Sequence, residues 1–138
     1  MTTQYWLVKS EPGTYSWDDF VRDKRTGWTG VRNYAARLHL RAMHPDDAVF
    51  FYHSGESKSI VGLARVTKPA FPDPTADVAA GWVAVELAAG NPLPRPVTLA
   101  QLKAEPALGR LELIRQSRLS VSPVRPAEFA LIVKLGGL

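Results

Sequence analysis

The chain has 138 residues, 46% of them hydrophobic and 22% charged, the balance of one globular domain over residues 1–138 and not of a disordered tail. With no cysteine and three dispersed histidines, disulfides, thiol nucleophiles and cysteine metal sites are excluded, and neither a metal nor a cofactor is expected. The net charge of +4 favours a polyanionic partner, while the start "MTTQYWLVKSEP" lacks a signal-like pattern and no apolar run nears the roughly 18 residues of a membrane span, so a soluble, cytoplasmic protein is expected.

"TQYWLVKS" is rich in aromatic and β-branched residues and reads as a strand ended by "EPG". "YSWDDFVRDK" predicts a short helix with Ser16 as N-cap, Asp18 and Asp19 in the first turn, and Trp17, Phe20 and Val21 on one face, its end marked by Gly27. Next, "NYAARLHLRAM" has Tyr34, Ala35, Leu38 and Ala42 on one helical face and Arg37 and Arg41 one turn apart on another. After the turn "HPDD", the runs "AVFFYHS" and "KSIVGLARVTK" flank "GES" and predict an antiparallel hairpin. "PAFPDPTAD" is a proline-stiffened connector; "GWVAVELAA" is a strand with Val83, Val85 and Leu87 toward the core; "NPLPRP" is a second connector. "VTLAQLKAEPAL" offers a capping box, Thr98 with Gln101, before a helix closed by Pro106. "LIRQSRLSVSPV" reads as the last strand region, and "RPAEFALIVKLGG" as a helix with Pro126 near its start, Phe129, Ile132 and Val133 on a face, and Gly136 as C-cap. Strands without regular βα alternation predict an α+β fold around a small mixed or antiparallel β-barrel with short peripheral helices.

The ordered blocks "YWLVKSEP", "YSWDDF", "WTGVRNYAARLHLRAM", "FFYHS", "IVGLARV", "FPDPT" and "RQSRLSVSPV" resemble the motif set of the EVE domain family, nearly end to end. The resemblance implies a PUA-like fold related to the YTH domains that read methylated adenine in RNA. It also implies a pocket for a modified base, with modified cytosine in DNA the leading ligand and DNA favoured over RNA.

On that footing the stretch "TGWTGVRNY" supplies the first candidates. Gly27 and Gly30 allow a tight path around Trp28, whose indole on an exposed loop is a stacking platform for an extruded base, or else a core residue. Val31, Arg32, Asn33 and Tyr34 would line the pocket, Asn33 serving the base, the start of the following helix, or both. Arg37 and Arg41 are a phosphate clamp or a solvated face. In "FFYHS" the period of two separates Phe50, Tyr52 and Ser54 from Phe51 and His53, so only one set can face a core; Tyr52, His53 and Ser54 would sit at the barrel mouth. Ser10 and Glu11 complete the base pocket, Glu11 accepting from a cytosine amine or pairing with an arginine. Lys9, Arg115 and Arg118 are phosphate candidates, and Ser117 and Ser120 either meet the base or end a strand. "FPDPT" is read as structural, its prolines fixing a turn around Asp73.

A monomeric, non-catalytic reader of nucleic acid is the expectation. The alternatives are an RNA-binding or RNA- or nucleotide-processing enzyme on an ASCH-like barrel, drawing on Lys9, Ser10, Glu11, His53 and Ser54, or a small-molecule sensor. No nucleophile elbow, phosphate-cradling glycine loop or metal-ligand spacing supports the enzyme.

Overall fold

Phe50, Phe51 and Tyr52 follow one another in a single strand, and all three are buried. Successive strand side chains point to opposite faces, so the sheet that holds them must be covered on both sides. The expectation that only one of the two sets faces a core is therefore corrected. In the computed structural model, which describes residues 3–138, Phe51 joins one hydrophobic cluster with Trp6, Val8, Val49 and Leu87. Phe50 and Tyr52 join a second with Leu7, Ile60, Leu102 and Ile132.

The strands are β1 (Tyr5–Ser10), β2 (Arg25–Gly27), β3 (Ala48–His53), β4 (Ser59–Pro72), β5 (Val83–Thr98) and β6 (Val121–Val124). They make one six-stranded sheet in the order β2-β5-β4-β3-β1-β6. It is mixed: β1 runs parallel to β3, from Tyr5 opposite Ala48 to Ser10 opposite His53, and its other pairs are antiparallel. The α+β class holds. The sheet is barrel-like but not closed, with β2 and β6 as its edges. Repeated register shifts between β4 and β5 are the bulges that let such long strands bend.

The connector "NPLPRP" turns out to be strand, part of β5. The short β2 covers only Glu86 to Ala88 of β5, so β2 leaves the stretch holding Pro92, Pro94 and Pro96 unpaired on its side, where missing N–H groups cost little.

The helices α1 (Trp17–Asp23) and α2 (Tyr34–Ala42) cover the first cluster, while α3 (Leu99–Ala104), α4 (Glu112–Arg115) and α5 (Pro126–Leu135) cover the second. Ser16 caps α1 through a full capping box with Asp19. The helix ends at Lys24, whose φ of 66° breaks it before Gly27, and Val21 faces solvent instead of the core. In α2 the buried face is Ala36 and Leu40, continued by Met43, so the predicted face is corrected: Tyr34 and Leu38 are exposed. "LIRQSRL" is not strand. Leu111 and Leu113 anchor the single turn of α4, leaving only Val121–Val124 to pair with β1. The capping box of Thr98 and Gln101 on α3 is present, as are Pro126 at the start of α5 and its C-cap at Gly136. No helix among the described residues is long and apolar enough to cross a membrane.

Gly62 in β4 shows how tightly α1 lies on the sheet. A Cβ there would come within 2.4 Å of the Trp17 ring, which is itself wedged edge-on against Phe20 and Phe51. Gly62→Ala should therefore cost about 1–3 kcal/mol through overpacking, read as a lower denaturation midpoint; an unchanged midpoint would show that α1 can lift without loss.

Candidate base-binding cleft

The first strand ends at Lys9, Ser10 and Glu11, and the chain from Thr26 to Asn33 passes in front of that end. Together they frame a cleft of about 660 Å³, completed by Thr14, Tyr15 and Ser120, within the size range of small-ligand sites.

The loop after β2 is held at every turn. Trp28 N–H donates to Val85 O at 2.7 Å, and Thr29 N–H to Gly27 O at 3.0 Å. Gly30, at φ +81°, adopts a left-handed conformation that favours glycine. Its N–H donates to Asp73 Oδ2 at 2.8 Å. The same oxygen receives Arg32 Nη1 at 3.1 Å, while the Thr75 hydroxyl and N–H donate to Oδ1 at 2.6 and 2.7 Å. The Asp73 side chain is 0% exposed. Burial alone would raise its carboxyl, but the hydrogen bonds from Thr75, from Gly30 and from Arg32 outweigh it and bring the pKa to about 2, below the ordinary 3.8. "FPDPT" is thus structural through its carboxylate, which reaches back some forty residues to clamp the loop.

Trp28 does not stand on an exposed loop. It is 9% exposed and packs edge-on against Phe20 and Phe51, yet its remaining surface lines the cleft, beside Tyr15 at 6.3 Å. The indole belongs to the core and to the cleft wall at once. Tyr15 is tied by its hydroxyl to Asp23 at 2.9 Å. Its pKa is raised by burial and then by that carboxylate. Asn33 is the N-cap of α2, its Oδ1 accepting from Ala36 N–H at 2.9 Å. That leaves its NH₂ as the side-chain group able to serve a ligand.

Of the predicted site residues, the cleft gathers Lys9, Ser10, Glu11, Trp28, Val31, Arg32, Asn33 and Ser120. Arg115, Ser117 and Arg118 line a shallower groove that shares Asn33 with it. Lys9 bridges the two, its Nζ donating to the Ser117 carbonyl, and burial lowers its pKa.

The other candidates lie elsewhere. Tyr52 is buried in the second cluster, on the opposite face of the sheet, because the two-sided core claims both strand faces. His53 accepts from Trp17 N–H through Nε2 at 2.9 Å. Burial depresses its pKa, opposed by Asp18 and Glu11. Ser54 lies beside the end of β1, its N–H on Ser10 O at 2.9 Å. Tyr34 does not line the cleft; its ring lies 5.2 Å from that of Trp82, tilted by 32°. Arg37 and Arg41 reach the carbonyls of Ala80 and Gly81 and do not line the cleft. Sequence reasoning missed Tyr15, Thr14, Thr26 and Thr29 as lining residues; Tyr15 had a signal, since an aromatic follows "SEPG" closely enough to fold back over the strand end.

The EVE domain model matches residues 4–135. The chain is 34% identical to thymocyte nuclear protein 1 of Mus musculus over 96% of its own length and 74% of that protein. Among solved structures, a Rhodopseudomonas palustris protein is 50% identical with a TM-score of 0.93, over 98% of this chain and 94% of that one. The human THYN1 protein, solved in complex with DNA containing 5-methylcytosine, is 31% identical with a TM-score of 0.88, over 99% of each chain.

Two outcomes test this geometry. Trp28→Ala should lower stability by about 3–5 kcal/mol, because the ring is core on one side; a near-native thermal midpoint would mean that the indole serves the cleft alone. The Asp73 carboxyl is easier to protonate in the unfolded chain, at 3.8, than in the folded one, at about 2. Its contribution should be complete above pH 4 and lost as pH falls toward 2. Asp73→Asn should flatten that part of the stability–pH curve, and an unaltered slope would remove Asp73 from it.

Proposed function

The chain belongs to the EVE domain family, and from that premise we propose that it is a non-catalytic module that binds nucleic acid through a modified nucleobase, modified cytosine in DNA first. The observation that carries this reading is the cleft itself, in which aromatic surface from Trp28 and Tyr15 meets polar groups of several types within one rigid frame. The human relative solved with 5-methylcytosine-containing DNA supports cytosine over adenine.

An extruded base must lose its stacking in the duplex, a cost of a few kcal/mol. Replacement stacking on an aromatic face returns about 1–3 kcal/mol. In this reading the margin of Trp28 and the ring of Tyr15 supply that contact. Glu11, exposed at the strand end, has the acceptor oxygens that a cytosine amine needs, and the Asn33 NH₂ offers a donor to a ring nitrogen or carbonyl. Lys9 and the groove of Arg115 and Arg118 suit the phosphates on either side.

Three of the groups an enzyme would draw on are engaged with the backbone. His53 holds Trp17 N–H, the Ser10 hydroxyl donates to Tyr15 O, and Lys9 donates to Ser117 O. None of the three is left as a base or nucleophile beside another.

The test is a panel of otherwise identical oligonucleotides, in DNA and RNA, carrying cytosine, 5-methylcytosine, 5-hydroxymethylcytosine or methylated adenine. Binding should be tightest for a modified cytosine in DNA and should weaken steeply with salt, by a slope of about 0.9 per phosphate contact. The ligand should be recovered chemically intact after prolonged incubation. Equal affinity across the panel would defeat base reading, and turnover dependent on Glu11 or His53 would defeat the non-catalytic reading.

A further inference from the structure

Beside the cleft, and outside its lining, the surface carries a laminate of arginines and aromatic rings. The guanidinium of Arg37 lies 4.9 Å from the ring of Tyr34 and 4.9 Å from that of Trp82. The two rings are themselves 5.2 Å apart at 32°, and Arg32 approaches the Trp82 ring at 5.7 Å. Tyr34 is nonetheless 69% exposed, and Leu38, one turn further along α2, is exposed with it. Stacked cation–π pairs fix side chains that would otherwise sample many rotamers, so an aromatic face is presented to solvent already ordered.

The charge on this surface is largely uncompensated. Arg32 is paired with Asp73. Arg37 and Arg41 have no carboxylate partner among the described residues; they hold the carbonyls of Ala80 and Gly81 instead, and Arg37 Nε is buried without any hydrogen bond. Two unneutralised guanidinium groups beside an exposed ring match a polyanion that also carries flat apolar faces, which is the chemistry of a nucleic-acid strand. The surface is also continuous with the cleft, because Arg32 lines the cleft and touches Trp82, and Tyr34 follows Asn33 directly.

We propose that the Tyr34–Arg37–Trp82 laminate is the platform on which the nucleotides flanking the recognised base are bound, Tyr34 stacking on a neighbouring base and Arg37 with Arg41 facing its phosphate. The proposal rests on the base-reading function and adds a second contact site to it. The strand that delivers a base to the cleft then crosses the start of α2, and affinity depends on the nucleotides beside the modified one.

The test compares the modified cytosine mononucleotide with a short single-stranded oligonucleotide carrying the same nucleotide at its centre, for the wild-type protein and Tyr34→Ala. Because Tyr34 is exposed, the variant should keep its thermal midpoint. It should bind the mononucleotide as the wild type does and the oligonucleotide more weakly, on the order of five- to a hundredfold. An oligonucleotide affinity unchanged in Tyr34→Ala overturns the platform while leaving the base reading intact. A wild-type protein that binds the oligonucleotide no better than the mononucleotide does the same. Binding of neither ligand by the wild type removes the base reading and the platform with it.

Discussion

Burial of the sheet on both faces is the constraint on which the rest of the molecule depends. A strand that carries Phe50, Phe51 and Tyr52 in succession, all buried, cannot lie on a surface, and each fully buried large side chain contributes about 1.5–3 kcal/mol. The chain meets the demand by sending α1 and α2 to one face and α3, α4 and α5 to the other. One consequence concerns function directly. With both faces covered by helices, the cleft lies at the end of β1, beside Lys9, Ser10 and Glu11. Parallel pairing of β1 with β3 brings His53 and Ser54 to the same end, but the start of α1 has already used His53 as the partner of Trp17 N–H.

The loop that closes the cleft is rigid for reasons that lie far away in sequence. Asp73 supplies the acceptors for Gly30 N–H and Arg32, and the carboxylate is affordable in a buried position because hydrogen bonds satisfy both of its oxygens. Trp28 is fixed from the other side by Phe20 and Phe51. A wall made from a core residue cannot be altered without loss of stability, whereas Glu11, the threonines and Ser120 line the cleft and belong to neither hydrophobic cluster.

What the sequence reveals and what it hides follow from the range of the interactions involved. Local signals were legible: the N-cap at Ser16, the capping box at Thr98, the strand β1, the hairpin across "GES" and the helix opened by Pro126 are set by neighbours within a few residues. The face of α2 was not. Tyr34 and Leu38 repeat with the same helical period as Ala36 and Leu40, and only the sheet beneath decides that the smaller alanine turns inward. The proline-rich stretch after Gly90 was hidden because prolines count against a strand unless its edge is open, and an open edge is a property of the sheet. The cleft was half legible. The loop and the end of β1 carry unusual concentrations of glycine, aromatic and polar residues that point to a site. The exclusion of Tyr52 and the inclusion of Tyr15 depend on which face and which strand end the fold assigns them.

These features bear on how a weakly basic protein can be selective. Charge alone attracts any polyanion and falls away with salt, and a net charge of +4 gives only a modest pull. In the proposed function, selectivity would come from groups that need not reorganise when the ligand arrives. The Asp73 clamp, the N-cap at Asn33 and the packing behind Trp28 all order the cleft during folding, so the entropy of arranging the loop is not charged against binding. The side chains of the arginine laminate are likewise stacked on one another in the fold. In the proposed function a misfitting base would meet a frame ordered in advance and leave polar groups unpaired, and that penalty, more than any single added contact, would separate one base from another.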